Sequence, residues 1–243
     1  MKASVILPTY NEAGNIVGLV EEILKNLPTD VEPEILIVDD DSPDKTYEVA
    51  KNAFATNRKV RVILRKEDRG FAKSIRAGIE LATGEFVIVM DTDFTHDPAE
   101  IPRMLHIARA CDIVSGSRFC AGGNMQDRKH YLTSLAYNWL LRLLLRTQVQ
   151  DNLGGYFVMR REKILSLPLD YIFLGYGEYF FRLLYFAQRY GLTVIEIPAI
   201  YRLRGYGTSK SSFMKMLSSY SRAAILLRIR GRALMRRHDR AVS

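Results

Sequence analysis

Residues 85–93 read Glu85-Phe86-Val87-Ile88-Val89-Met90-Asp91-Thr92-Asp93. Apolar residues, several of them β-branched, run together and stop abruptly on two carboxylates. A short continuous apolar run of this kind predicts a strand buried on both faces. Where the chain leaves the strand and turns, Asp91 and Asp93 need not alternate, and both can converge on one hard cation. Such a cation seldom takes an all-protein cage and is usually shared with substrate phosphates. The pair therefore points to a nucleoside-diphosphate ligand. A turn that caps the helix begun at Asp97-Pro98 accounts for the same acids equally well.

The flanking sequence separates these readings. Strand-like runs lie at Ala3–Pro8, Glu34–Asp39, Val60–Leu64, Phe86–Met90 and Asp112–Ser115. Helix-like runs lie between them at Asn15–Asn26, Lys45–Ala55, Gly70–Ala82 and Ala99–Ala110. This alternation predicts an α/β fold, a mostly parallel central sheet flanked by helices. Ligands of such sheets bind outside the carboxyl ends of the strands. The unusual polar clusters fall there: Pro8-Thr9-Tyr10-Asn11-Glu12, Asp39-Asp40-Asp41-Ser42 and Asp91-Thr92-Asp93. Adjacent carboxylates repel and one cap needs one acceptor, so capping alone explains these clusters poorly. Tyr10 offers a stacking face; Glu12 and Asp40 offer acceptors for hydroxyls or a base N–H.

After Arg128 the pattern changes. Tyr131–Leu145 predicts a helix apolar nearly all round, with Leu132, Leu135, Trp139 and Leu143 on one stripe. A strand at Gly155–Met159, a helix at Glu178–Tyr190 and a strand at Thr193–Ile197 follow. From about Ser211 to Arg237 runs a basic amphipathic helix, with Arg228, Arg232 and Arg236 at four-residue spacing. Gly205-Tyr206-Gly207 reads as a mobile loop. Two units are expected: residues 1–210, and the basic helix 211–243.

The chain has 243 residues and a net charge of +8. Residues 202–243 hold 11 of the 35 Lys and Arg but one of the 27 acids, so the remainder holds 24 against 26. The excess positive charge thus lies in the tail, which suits anionic lipid, an acidic partner or nucleic acid. Tyr131–Leu141 is the longest apolar stretch and falls short of the ~18 residues that span a bilayer. Cys111 and Cys120 are the only cysteines; reduced thiols in a cytosolic setting are expected, and no signal peptide is visible. His96 is expected in the turn beside a diphosphate, or exposed.

Taken in order, several strings resemble the family 2 inverting glycosyltransferases of nucleotide-diphospho-sugar (GT-A, Rossmann-like) fold, within them the dolichol-phosphate mannosyltransferase group. They are Val5-Ile-Leu-Pro-Thr-Tyr-Asn-Glu12, Val38-Asp-Asp-Asp-Ser-Pro-Asp44, Arg69-Gly70, Met90-Asp-Thr-Asp93, Gly116-Ser-Arg118, Arg128-Lys129, Asp151 with Gly155-Tyr-Phe, and Arg204 through Lys210. The chain departs from the group at Gly154-Gly155-Tyr156, where members often carry Ser-Gly-Phe, and at Thr95, a weaker metal ligand than an amide or acid.

The resemblance implies a metal-dependent transfer of a hexose, GDP-mannose being the favoured donor, to a polyprenyl (dolichyl or undecaprenyl) phosphate with inversion. It implies Pro8, Tyr10, Glu12, Val38, Asp40 and Thr92 around the nucleotide, and Mg2+ or Mn2+ on Asp91 and Asp93. It places Arg118, Arg128, Arg204 and Lys210 on the acceptor phosphate and counts Asp91, Asp93, Arg118 and Asp151 as catalytic, Asp151 orienting the acceptor or the sugar hydroxyls. A cytoplasmic enzyme, peripheral at the inner membrane face, follows, with room for a membrane-protein subunit. The same fold acting on a soluble or polymer glycan is the alternative, although no Gln-x-x-Arg-Trp string is present. A nucleic-acid-binding role has little support: the tail carries few aromatics and no nucleic-acid motif.

Overall fold

The predicted alternation is present. A computed structural model describes residues 1–202 and 213–242. Its first half runs β1 (Lys2–Thr9), α1 (Ile16–Asn26), β2 (Glu32–Asp39), α2 (Thr46–Ala53), β3 (Val60–Leu64), α3 (Phe71–Leu81), β4 (Phe86–Val89), α4 (Ile101–Ala108) and β5 (Ile113–Ser117). There follow β6 (Asn124–Met125), α5 (Arg128–Leu145), β7 (Phe157–Arg160), α6 (Arg161–Leu165), α7 (Leu169–Ile172), α8 (Glu178–Arg189), β8 (Val194–Pro198), β9 (Ile200–Tyr201) and α9 (Phe213–Val242). A 3-10 turn at Pro98–Glu100 leads into α4, and its cap is Asp97, whose carboxylate accepts the Ala99 N–H at 3.0 Å. The capping role thus falls on Asp97 rather than on Asp91 or Asp93.

Seven strands form the main sheet in the order β3-β2-β1-β4-β7-β5-β8. All neighbours are parallel except β7, which runs antiparallel to both β4 and β5. β6 and β9 make a separate short pairing. Side chains alternate between two apolar layers, as the two-residue period of a strand requires. Val5 and Leu7 meet Ile16, Leu19, Val20 and Ile23 of α1 with Met104 and Leu105 of α4. Ile6 belongs to the opposite layer, with Ile75 and Ile79 of α3 and the aromatic face of α8.

The C-terminal helix joins that second layer. Tyr220, Ala223, Ala224 and Leu227, at i, i+3, i+4 and i+7, are buried there, and the Tyr220 ring meets Phe181 of α8 edge-on at 6.1 Å. Ile225, Leu226 and Ile229 point outward. α5 divides likewise: Leu141 and Leu145 are buried, whereas the stripe Leu132, Leu135, Trp139 and Leu143 is exposed. Tyr137 Oη lies 3.1 Å from Ser221 Oγ and ties α5 to α9. Among the described residues no helix is long and apolar enough to cross a membrane. Both cysteines are free.

Candidate active site

At the carboxyl ends of β1, β2 and β4 the chain turns sharply. Asn11, Asp41 and Phe94 each adopt left-handed backbone, at φ 59, 58 and 63°. That conformation is disfavoured for a bulky side chain such as Phe and is kept only where the surroundings enforce it. These turns surround a cavity of about 660 Å3.

Pro8, Tyr10, Glu12, Asp40, Asp91, Thr92 and Asp93 all line the cavity. Tyr10 presents a half-exposed ring to it. Asp39 has a different task. Its buried carboxylate accepts Thr9 Oγ1 at 2.8 Å, Ser42 Oγ at 2.6 Å and the Ser42 N–H at 2.9 Å, which locks the β1 and β2 loops together. Asp40 faces the cavity while accepting Arg65 Nη1 at 2.7 Å and the Gly70 N–H at 2.6 Å. Each carboxylate oxygen has two lone pairs, so both can still accept from a ligand. The Val38 side chain is buried in the apolar layer under α3 and does not line the cavity; the strand's alternation turns it away.

Asp93 is buried, and its Oδ1 accepts the Thr95 N–H at 3.1 Å and Thr95 Oγ1 at 2.6 Å. Thr95 thus supports Asp93. The Asp91 N–H donates to His96 Nδ1 at 2.9 Å, and His96 Nε2 lies 3.7 Å from Asp91 Oδ2. His96 is not exposed; it is buried, stacked on Tyr156 at 4.8 Å and met edge-on by Tyr201 at 4.6 Å. Burial pushes its pKa down to about 4, against the opposing pull of Asp93. The unfolded chain protonates near 6.5 and the folded metal-free protein only near 4. Stability is therefore fully present above pH 6.5 and falls by roughly 3 kcal/mol as the pH drops through that window. Urea unfolding at pH 7 and pH 4.5 should show this drop in the wild type and not in His96→Asn; an equal drop in both would exclude His96 as its source.

Arg118 and Asp151 do not line the cavity. They pair with each other: Arg118 Nε and Nη2 donate to the two Asp151 oxygens, each at 2.8 Å, and the Arg118 N–H adds a contact at 3.1 Å. Both are buried. Burial opposes the charge on Arg118, but the Asp151 carboxylate overrides it and raises the guanidinium pKa. The guanidinium also lies 5.0 Å from the Phe119 and Tyr201 ring centres, and Nη1 is 3.5 Å from Ser134 Oγ. Arg128 is exposed at the start of α5. Arg204, Lys210 and the Gly205–Gly207 loop lie outside the described residues.

The departures at 154–156 have a local cause. A Cβ on Gly154 would lie 2.8 Å from Tyr201 Oη, so no larger residue fits beside that phenol. Tyr156 Oη donates to the Asp97 carbonyl at 2.9 Å, which a Phe could not do.

Sequence reading missed part of the wall. Arg69, Phe71, Tyr176, Tyr179 and Tyr220 also line the cavity. Arg69-Gly70 stood among the quoted strings, and Gly175-Tyr176-Gly177 sets an aromatic between two glycines, a turn signal. Tyr220 carried no signal, since it reads as one apolar position of an amphipathic helix. In the fold it lies so close to Gly177 that a Cβ there would sit 2.2 Å from its hydroxyl.

A mostly parallel sheet with a cavity at the carboxyl ends of its strands is a fold of GT-A type. A solved structure of that kind, glucosyl-3-phosphoglycerate synthase from Mycobacterium tuberculosis in complex with Mn2+, UDP and glucosyl-3-phosphoglycerate, superposes with a TM-score of 0.70 at 21% identity, covering 93% of this chain and 79% of that one. The model of Glycosyl transferase family 2 matches residues 4–166, and the chain belongs to that family: it is a glycosyltransferase. It is 32% identical to the dolichol-phosphate mannosyltransferase of Pyrococcus furiosus over 86% of its own length, and spans 59% of that relative. It is also 32% identical to the undecaprenyl-phosphate mannosyltransferase of Micrococcus luteus, over 87% of this chain and 88% of that one.

Proposed function

We propose that this enzyme transfers a hexose, mannose from GDP-mannose in the first instance, to a polyprenyl phosphate at the cytoplasmic face of a membrane. The observation that carries the proposal is that one helix reaches both the cavity and an exposed apolar surface. α9 supplies Tyr220 to the cavity wall and turns Ile225, Leu226 and Ile229 outward. A polar donor pocket and an apolar surface thus share a helix. The names of the relatives agree with it.

Asp91 and Asp93 suit Mg2+ or Mn2+. Among the described residues no group of three or more His, Cys, Asp or Glu is gathered to enclose a cation. Two carboxylates at an open cavity are the donor set of an ion whose remaining ligands are waters and substrate phosphates. Bound there, it would neutralise charge on the departing diphosphate. Tyr10 offers the base its ring, and Glu12 and Asp40 accept from ribose or base. The acceptor is a phosphate monoester, whose second pKa is near ~6, so at neutral pH it is already a dianion. Its oxygen attacks the anomeric carbon as the bond to the diphosphate breaks, and no strong general base is required. Positive charge must hold it; Arg118 is committed to Asp151 away from the cavity, which leaves Arg128, Arg204 and Lys210 as the candidates.

The direct test supplies the protein and Mg2+ with a panel of nucleotide sugars and a short polyprenyl phosphate. A mannosyl phosphoprenol from GDP-mannose is the expected product by mass spectrometry. No glycolipid from any donor, alongside transfer to a soluble acceptor, would overturn the proposal.

Membrane contact is tested at the exposed faces, because removing α9 would also strip Tyr220, Ala224 and Leu227 from the core. Trp139 is the sole tryptophan and is 64% exposed on α5. Its emission should shift to the blue on adding anionic vesicles. Burying an isoleucine is worth about 1.5–3 kcal/mol, so Ile229→Asp should weaken vesicle binding at least about tenfold. Unchanged Trp139 emission in vesicles that do bind the protein would remove α5 from the contact.

A further inference from the structure

His96 is drawn into the core by forces unrelated to substrate. It lies between two buried tyrosines, and the phenol of one, Tyr156, is anchored on the Asp97 carbonyl. Tyr201 is held in turn: the Arg118 guanidinium covers its ring, and the β9 pairing fixes its backbone. The plane of the imidazole is therefore fixed. Within it Nδ1 accepts the Asp91 N–H at 2.9 Å. A neutral imidazole that accepts at Nδ1 carries its proton on Nε2. That N–H lies 3.7 Å from Asp91 Oδ2, just outside hydrogen-bond distance, and also faces the Gly154 backbone without a well-formed bond. One ring nitrogen thus holds the Asp91 peptide, and the other lies near its carboxylate. The Asp91 carboxylate is partly exposed, and the surrounding chain includes a left-handed Phe94. The turn is held from the inside by an aromatic stack.

We propose that His96 is the positioning residue of Asp91. It fixes the peptide from which the carboxylate springs and limits the carboxylate's swing, so that Asp91 meets a divalent ion already aimed. The proposal rests on the metal reading above. His96 touches neither ion nor substrate. It acts as groups behind metal ligands do, where losing the outer partner typically weakens affinity about 10- to 100-fold.

The test measures Mn2+ binding by electron paramagnetic resonance, with the ion alone and with GDP or UDP, and records thermal melting in parallel. His96→Phe keeps an aromatic in the stack and removes both nitrogens; Mn2+–nucleotide affinity should fall about 10- to 100-fold. His96→Asn returns an acceptor near the Nδ1 position and should recover most of the loss. His96→Gln, whose amide reaches toward the Nε2 position instead, should recover less. Wild-type affinity in a folded His96→Phe overturns the proposal. If His96→Phe does not fold, equal affinities for the Asn and Gln variants overturn it. A lower melting temperature with unchanged affinity in every variant also does so, because it marks a packing role only. Failure of the wild type itself to bind Mn2+ with either nucleotide would instead sink the metal reading.

Discussion

Asp93→Asn should lower turnover by about 10^3-fold or more while leaving the fold intact. The two halves of that expectation have separate causes. Asp93 Oδ1 accepts from the Thr95 N–H and hydroxyl, and an amide oxygen accepts both bonds equally well. The turn after β4 therefore survives the change. What disappears is a full negative charge at the cavity wall, one of the two carboxylates that would hold a divalent ion. A 10^3-fold loss corresponds to about 4 kcal/mol of transition-state stabilisation, within the several kcal/mol that a metal supplies to a departing anion. Steady-state kinetics and a melting curve on the same preparation check both halves. Full turnover in the variant, or wild-type turnover undiminished by a chelator, would refute the role given to Asp93.

Asp151→Ala should destabilise the folded protein by about 3–5 kcal/mol, the usual penalty for stranding one member of a buried ion pair. Arg118 would keep its buried guanidinium but lose the fork-to-fork contact made by Nε and Nη2. The Leu153 N–H, which donates to Asp151 Oδ1 at 3.2 Å, would lose its acceptor too. Replacing both partners by apolar residues, as in Arg118→Met with Asp151→Leu, should restore most of the stability, because well-packed apolar groups often match a buried pair. Urea unfolding of the two single variants and the double variant measures the coupling. A single-variant loss below about 1 kcal/mol, the range of exposed pairs, would contradict the burial described for this pair.

The chain made its first half legible and hid much of its second. The run Phe86–Val89 and the clusters after β1, β2 and β4 announced themselves by hydrophobic period and by charge at strand ends. β7 did not announce its direction. A four-residue strand paired on both sides reads the same either way, because periodicity carries no sense of orientation. Arg118 and Asp151 were each singled out, yet nothing in a 33-residue separation says that they meet. His96 looked like a turn residue because it follows a turn; its burial depends on Tyr156 and Tyr201, which come from distant parts of the chain. Tyr220 reaches the cavity only because α9 folds back over α8. Local pattern reports which face a residue takes, and long-range juxtaposition decides what that face touches.

The reversed strand has a geometric consequence. β4 delivers the aspartates and β5 delivers Arg118, and β7 is wedged between them. Neighbouring strands lie about 4.8 Å apart, so one inserted strand holds those two outlets roughly 10 Å apart. Because β7 begins at the end where the other two finish, with Phe157 beside Val89 and Ser115, its feeder residues Leu153, Gly154 and Gly155 surface in the gap. The strand is a built-in caliper, and its jaws are set by backbone spacing that no side-chain substitution can readily adjust.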